Sequence, residues 1–148
     1  MHHEERVAGY LCRFAERLHL SYKRDAENCI VISKPTTPGH EEAEPIVLLN
    51  HMDMVGVGMS DPLNSPIDAS VEDGWTKARG TSLGDDNGIG LSMALAMLES
   101  NEIMHGPMES GLLRGALSWH PDSQHRPPVH HRGHLACAHL ASEQTCLK

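Results

Sequence analysis

The feature that most restricts the fold of this chain is the apolar run at residues 46–49, Ile-Val-Leu-Leu. Four consecutive apolar residues fit a β-strand that is buried on both faces, as in a sheet covered by helices. The run ends in Asn50-His51-Met52-Asp53, so polar side chains follow the strand directly. We therefore expect an α/β fold in which this strand ends at a group of polar residues.

Two further elements are predicted before this strand. Residues 4–19 should form an amphipathic helix, and residues 28–33 a short strand. Apolar residues recur in the helix at steps of three and four, namely Val7, Leu11, Phe14 and Leu18. This spacing places them on one face. The segment 34–45 is rich in Pro, Gly and charge, which is typical of a solvated loop.

Two elements are predicted after the strand. Residues 67–79 contain two β-rich runs around Asp73-Gly74, which is a strong hairpin signal. Residues 88–99 are almost wholly apolar and predict a buried helix, with Met93 and Met97 as ordinary core residues. Together with the earlier elements, they are expected to supply part of one sheet and one of its faces.

Composition excludes several classes of function. The net charge of −8 provides no basic surface for nucleic acid. No run of about 18 apolar residues exists, and the start lacks a signal-peptide core, so a membrane span and export are not expected. The four cysteines show no C-x-x-C spacing and are interpreted as free thiols in a reducing compartment, which makes the cytoplasm the expected location. They are Cys12, Cys29, Cys137 and Cys146.

The last part of the chain differs from the rest. Residues 110–148 are rich in His and Pro and have no sustained helical or strand period. Such a segment is predicted to be disordered, because it offers too few apolar residues at regular spacing to bury. We therefore divide the chain into residues 1–109 and residues 110–148.

The first candidate site is His51 with Asp53. Side chains two residues apart in a strand point to the same side, so the two can act together at the carboxyl end of the strand. A neutral imidazole binds metal ions, and a nearby carboxylate orients it. An ordinary polar strand end is the alternative for this pattern taken alone.

The second candidate is the pair Asp85-Asp86, between a glycine-rich turn and the apolar helix. Two zinc ions about 3.5–4 Å apart need a shared anionic ligand, which a carboxylate can supply. The alternative for this pair is simple N-capping of the helix.

Together the two motifs are far more specific. The runs 48–55 and 73–90 closely resemble the aminoacyl-histidine dipeptidases, which are dinuclear zinc peptidases of the aminoacylase-like family. The start at 3–7, the Lys-Pro-Thr-Thr-Pro-Gly loop and the segment 105–109 are also similar to that family. The resemblance covers about residues 2–109.

The resemblance implies roles for individual residues. His51 would bind one zinc ion, Asp53 would be the catalytic-site carboxylate that orients it, and Asp86 would bridge two zinc ions. The peptide bond after Asp86 would be cis. Asp85 departs from the family, which usually has a small residue there. The implied fold is the N-terminal part of the zinc-peptidase catalytic sandwich.

The implied function is metal-dependent hydrolysis of dipeptides of the Xaa-His type, such as β-alanyl-histidine. Zinc would activate a water molecule, and a glutamate would act as general base. Relatives are homodimers held by a lid domain. A related aminopeptidase or N-acyl-amino-acid deacylase is the alternative within the enzymes.

The resemblance also implies residues that this chain lacks. The family has an Asp-Glu-Glu triplet shortly after Glu109, which supplies a zinc ligand and the general base. Here the sequence reads Ser-Gly-Leu-Leu-Arg. We therefore expect a truncated or frameshifted product that is inactive alone. The alternatives are a non-catalytic binding remnant, or replacement of the lost ligands by the histidines of residues 110–148.

Overall fold

The computed structural model describes residues 4–58 and 66–114. These residues form two helices and six strands. In chain order they are α1 (Glu4–Arg17), β1 (Ser21–Arg24), β2 (Ile30–Lys34), β3 (Ile46–His51), β4 (Ala69–Glu72), β5 (Trp75–Ala78), α2 (Asp85–Glu99) and β6 (Met108–Leu113). The α/β class predicted from the sequence is confirmed.

Four strands form the main sheet in the order β1-β2-β6-β3. β6 is antiparallel to β2 and parallel to β3, so it joins the two halves of the sheet. The strand runs from Met108 to Leu113 and so crosses the predicted boundary at residue 109. Residues 115–148, where most of the predicted disordered segment lies, are outside the described residues.

The core lies between α1 and the sheet, with a contribution from α2. One face of α1 is fully covered by the sheet, as its three- and four-residue apolar spacing predicts. The buried cluster consists of Ala8, Leu11, Phe14, Ala15, Ile30, Ile32, Leu98 and Leu112. The hydroxyl of Ser110, in β6, is fully buried and has no hydrogen-bond partner among the described residues.

The prediction that β3 is buried on both faces is wrong for the described residues. Ile46 and Leu49 are 43% and 40% exposed. The reason is topological, because β3 is the outermost strand of the described sheet and pairs only with β6 there. An apolar run indicates that a strand tolerates burial, but its position in the sheet decides its exposure.

The prediction of a buried second helix is also wrong in part. α2 packs against β3 and β6, and its buried residues are Ala94 and Leu98. Ile89 and Met93 are 61% and 64% exposed, so Met93 is not a core residue here. The helix is apolar around its circumference, but the described residues cover only one side of it.

The predicted hairpin is present but separate. β4 and β5 form an antiparallel two-stranded sheet of their own rather than joining the main sheet. Asp73 and Gly74 both have positive φ, 54° and 80°, as a tight two-residue hairpin turn requires. Asp-Gly therefore predicted the turn correctly, although it could not predict which sheet the hairpin joins.

Two remaining expectations concern thiols and membranes. Cys12 and Cys29 form no disulfide among the described residues, and Cys137 and Cys146 lie outside them. Within residues 4–58 and 66–114, neither helix is long and apolar enough to cross a membrane.

Candidate metal centre

His51 is the last residue of β3 and lies between two carboxylates. Its Nδ1 is 2.9 Å from Oδ1 of Asp53, and its Nε2 is 3.0 Å from Oδ1 of Asp86. The carbonyl oxygen of Asp53 is a second neighbour of Nδ1, at 3.2 Å. The structure thus brings together all three residues that the sequence predicted for the site.

The environment of His51 is part buried and acidic. The His51 side chain is 19% exposed, whereas those of Asp53 and Asp86 are 39% and 91% exposed. Burial lowers the pKa of His51, but the hydrogen bonds with Asp53 and Asp86 outweigh it and raise the pKa overall. The two carboxylates therefore stabilise a cation at this position.

Asp86 lies in the first turn of α2, which is irregular. Gly84 is the N-cap, with a left-handed φ of 81°, and makes no side-chain capping bond. Asp86 and Asn87 have non-helical backbone angles, and the peptide bond between them is cis, as the resemblance implied. Neither aspartate occupies the N-cap position, so simple N-capping does not account for the pair.

Asp85 and Asp86 differ although both are exposed. Of these two aspartates, Asp86 is the one that is a hydrogen-bond partner of His51. The side chain of Asn87, the next residue, donates from Nδ2 to Oδ1 of Asn50 at 3.0 Å. Asn50 and Asn87 were missed in the sequence, because an amide adjacent to a predicted ligand carries no signal of its own.

The donor atoms suit a zinc ion. Two donors about 2.1 Å from a tetrahedral zinc lie about 3.4 Å apart. Nε2 of His51 and Oδ1 of Asp86 are 3.0 Å apart, so a small outward movement would admit the ion. Nδ1 faces the Asp53 carboxylate, which is the usual outer partner of a zinc-binding histidine.

The described residues supply only part of a ligand set. No group of three or more His, Cys, Asp and Glu side chains able to hold a metal occurs within residues 4–58 and 66–114. A structural or catalytic zinc ion needs at least three protein ligands. His51 and Asp86 would supply two of the three or more ligands that such a site needs.

Comparison with solved structures places this α/β fold among peptidase domains. The crystal structure of aminoacylhistidine dipeptidase from Vibrio alginolyticus matches with a TM-score of 0.69 and 40% sequence identity. The match covers 74% of this chain and 23% of that one. Aminopeptidase PepT from Bacillus cereus matches with a TM-score of 0.57 over 76% of this chain and 31% of its own, and at 22% identity it supports the fold alone.

A curated relative points to the same group. The chain is 41% identical over 112 residues to the cytosol non-specific dipeptidase of Escherichia coli K12, which is 73% of this chain and 23% of that protein. No protein-family model matches. The resemblance to the aminoacyl-histidine dipeptidases is thus confirmed over about three quarters of the chain. The chain spans about a quarter of the length of these relatives.

Proposed function

We propose that the chain carries half of the zinc site of a dipeptidase that acts on short peptides, of the Xaa-His type in particular. The observation that carries the proposal is the placement of His51 between Asp53 and Asp86. The 41% identity to a dipeptidase supports the reaction class. The name of the Vibrio protein supports the choice of an aminoacyl-histidine substrate.

Each of the three residues has a distinct part in the proposed site. Asp53 would accept a hydrogen bond from Nδ1–H of His51, which would leave the Nε2 lone pair available to a metal ion. Asp86, which is 91% exposed, would offer its carboxylate to the same ion and could bridge a second one. Zinc bound there would lower the pKa of a water molecule and polarise the scissile carbonyl.

We further propose that this chain binds zinc weakly and does not hydrolyse peptides. Two donor residues are fewer than the three protein ligands that a zinc ion needs, and no group of three or more side chains able to hold a metal occurs among the described residues. The Asp-Glu-Glu triplet that the resemblance implies for the remaining ligand and the general base does not occur in the sequence. Catalysis needs both the complete set of ligands and a group that moves the proton.

The cellular location is proposed from the same comparison. The Escherichia coli relative is named as a cytosolic enzyme, which favours the cytoplasm for this chain. The homodimer implied by the resemblance, the exact substrate and the two-ion occupancy stay predictions.

Zinc binding by the full chain tests the proposal. We expect His51→Ala and Asp86→Ala each to lower the zinc bound per chain in equilibrium dialysis. The chain has 12 histidines, so His40→Ala, in the loop before β3, is the matched control and should bind as much zinc as the wild type. Equal zinc binding by all four proteins would disprove the metal site.

Hydrolysis of β-alanyl-histidine in the presence of zinc tests the second part. We expect no turnover above that of His51→Ala. Two zinc ions per chain together with turnover that His51→Ala abolishes would show that the chain is a complete enzyme, and would overturn the assignment of half a site.

A further inference from the structure

We propose that Asn50, Asn87 and Gly90 are positioning residues that hold Asp86 opposite His51. This inference rests on the proposed function, because it concerns the geometry of the same zinc half-site. None of the three residues contacts the proposed ion. Their contribution lies in fixing the start of α2 against the end of β3.

Consecutive residues of β3 hold consecutive residues of α2. Side chains alternate along a strand, so Asn50 and His51 point to opposite faces of the sheet. Asn50 is paired in register with Leu112 and is 9% exposed, on the face covered by the helices. His51 contacts Asp86, and Asn50 accepts a hydrogen bond from Asn87 at 3.0 Å. The first turn of α2 is thereby attached to β3 at two adjacent points.

The hydrogen bond between Asn87 and Asn50 restrains the position of Asp86. Asp86 is 91% exposed, so little packing restrains its side chain. Its backbone angles are non-helical, as are those of Asn87, so the regular helix does not fix its position either. A partly buried amide hydrogen bond on the neighbouring residue supplies the missing restraint, since leaving Asn50 unpaired in its buried position would be costly.

Gly90 makes room for this hydrogen bond. A Cβ atom on Gly90 would overlap Oδ1 of Asn87 and lie 2.5 Å from Oδ1 of Asn50. Any other residue at position 90 would therefore push the two amides apart or move α2 away from β3. Gly88 lies in the same turn, and a Cβ atom there would meet nothing within 4 Å. Only one of the two glycines is required for close approach.

Two pairs of variants test the inference on the full chain. Asn50→Asp keeps an oxygen acceptor for Asn87, whereas Asn87→Asp removes the donor and sets oxygen against oxygen. Both substitutions add one negative charge near the site, so they differ mainly in the hydrogen bond. Gly90→Ala blocks the amide pair, and Gly88→Ala is its matched control.

The readouts are zinc affinity and the NMR signals of the His51 ring without metal. The zinc affinity of the site is measured from the component of zinc binding that His51→Ala removes. We expect Asn87→Asp and Gly90→Ala to weaken it about 10–100-fold, the range typical of outer partners of metal ligands. Asn50→Asp and Gly88→Ala should stay within about threefold of the wild type, because the hydrogen bond survives in both. In metal-free Asn87→Asp and Gly90→Ala, the His51 signals should shift towards those of Asp86→Ala.

The outcomes separate this inference from the proposed function. Zinc binding and His51 signals equal to the wild type in Asn87→Asp would disprove the positioning role while leaving the metal site intact. If the wild type shows no His51-dependent zinc binding, the proposed function fails, and the metal-free NMR comparison still decides whether Asn87 positions Asp86. If Gly90→Ala does not fold, the two aspartate variants decide.

Discussion

The two helices of the described structure differ in how well their sequences predict which of their sides are buried. α1 has one apolar face, and that face is buried through Leu11 and Phe14. α2 is apolar around its circumference, yet Ile89 and Met93 stay exposed. An amphipathic pattern thus specifies both the covered and the open side of a helix, whereas a uniformly apolar helix specifies neither.

The proposed site lies at the less covered helix. α1 anchors the core on β2, and α2 presents Asp86 to His51 from its irregular first turn. Stability and site geometry are therefore carried largely by different parts of the molecule. Substitutions in the two helices should consequently have different effects on the free energy of unfolding and on the site.

The largest effect is expected in α1. Leu11→Ala should lower the free energy of unfolding by about 2–5 kcal/mol, since Leu11 is fully buried and its removal leaves a cavity. Tyr10, the preceding residue, is 53% exposed, so Tyr10→Ala is the control and should change stability far less. Urea unfolding monitored by circular dichroism measures both. Equal losses would show that α1 is covered on both sides.

The sequence predicted the local elements better than their assembly. The α1 pattern, β2, β3 and the Asp73-Gly74 turn were all found, because periodicity and turn chemistry are local. β1 was missed, since its residues Ser-Tyr-Lys-Arg show no apolar alternation. Exposure of β3 and α2 depends on what else packs there, which no local pattern contains.

β6 shows the same limit in another way. Its first two residues were recognised through the resemblance, but Ser110 and Gly111 have low strand propensity and were placed in the divergent segment. The sheet nevertheless pairs both with β2 and β3. Tertiary pairing overrides propensity here, and the buried hydroxyl of Ser110 is left without a partner among the described residues.

The residues of the site were also predicted only in part. His51, Asp53 and Asp86 were identified from motif spacing together with the resemblance, and they do meet. Asn50 and Asn87 were not identified. Their contact joins residues that are 37 apart in the sequence and exists only once α2 packs on β3. Metal-binding residue types are visible in a sequence, whereas the residues that position them depend on the fold.

A smaller effect is expected at the end of α2. Lys34, in β2, donates from Nζ to the carbonyl oxygens of Met97 and Ser100, and burial lowers its pKa. Lys34→Met should lower the free energy of unfolding by about 1–2 kcal/mol, because a cation at a helix C-terminus is stabilising. Lys77→Met, in the exposed hairpin, is the control. An unchanged urea midpoint in Lys34→Met would show that this contact does not hold α2.

A pH effect is expected on the α1 side. Tyr22 donates from its hydroxyl to Oε1 of Glu16 at 2.8 Å, and this hydrogen bond and burial raise its pKa to about 12. The raised pKa belongs to the folded state. Its contribution to stability is therefore complete below the unfolded value of about 10 and is lost as the pH rises towards 12.

Tyrosinate absorbance measures this shift. The chain has two tyrosines, so the titration is made in a Tyr10→Phe background, where only Tyr22 can form tyrosinate. Adding Glu16→Ala removes the first cause of the shift and should move the midpoint towards 10. A midpoint that does not move with Glu16→Ala would show that the contact between α1 and β1 is absent in solution.

The smallest effect is expected on the open side of α2, and it is the sharpest test of the contrast between the helices. Met93 is 64% exposed, so Met93→Gln should change the free energy of unfolding by no more than about 0.5 kcal/mol. Gln and Met have similar helix propensity, so the substitution changes polarity and little else. Its partner is Leu98→Gln, on the covered side of the same helix, where a polar group would enter the core and cost several kcal/mol. Urea unfolding at several protein concentrations measures both.

A loss of more than about 1 kcal/mol in Met93→Gln would mean that something outside the described residues covers this side of α2. A loss that grows with protein concentration would identify that cover as a second copy of the chain, because association stabilises a fold by mass action.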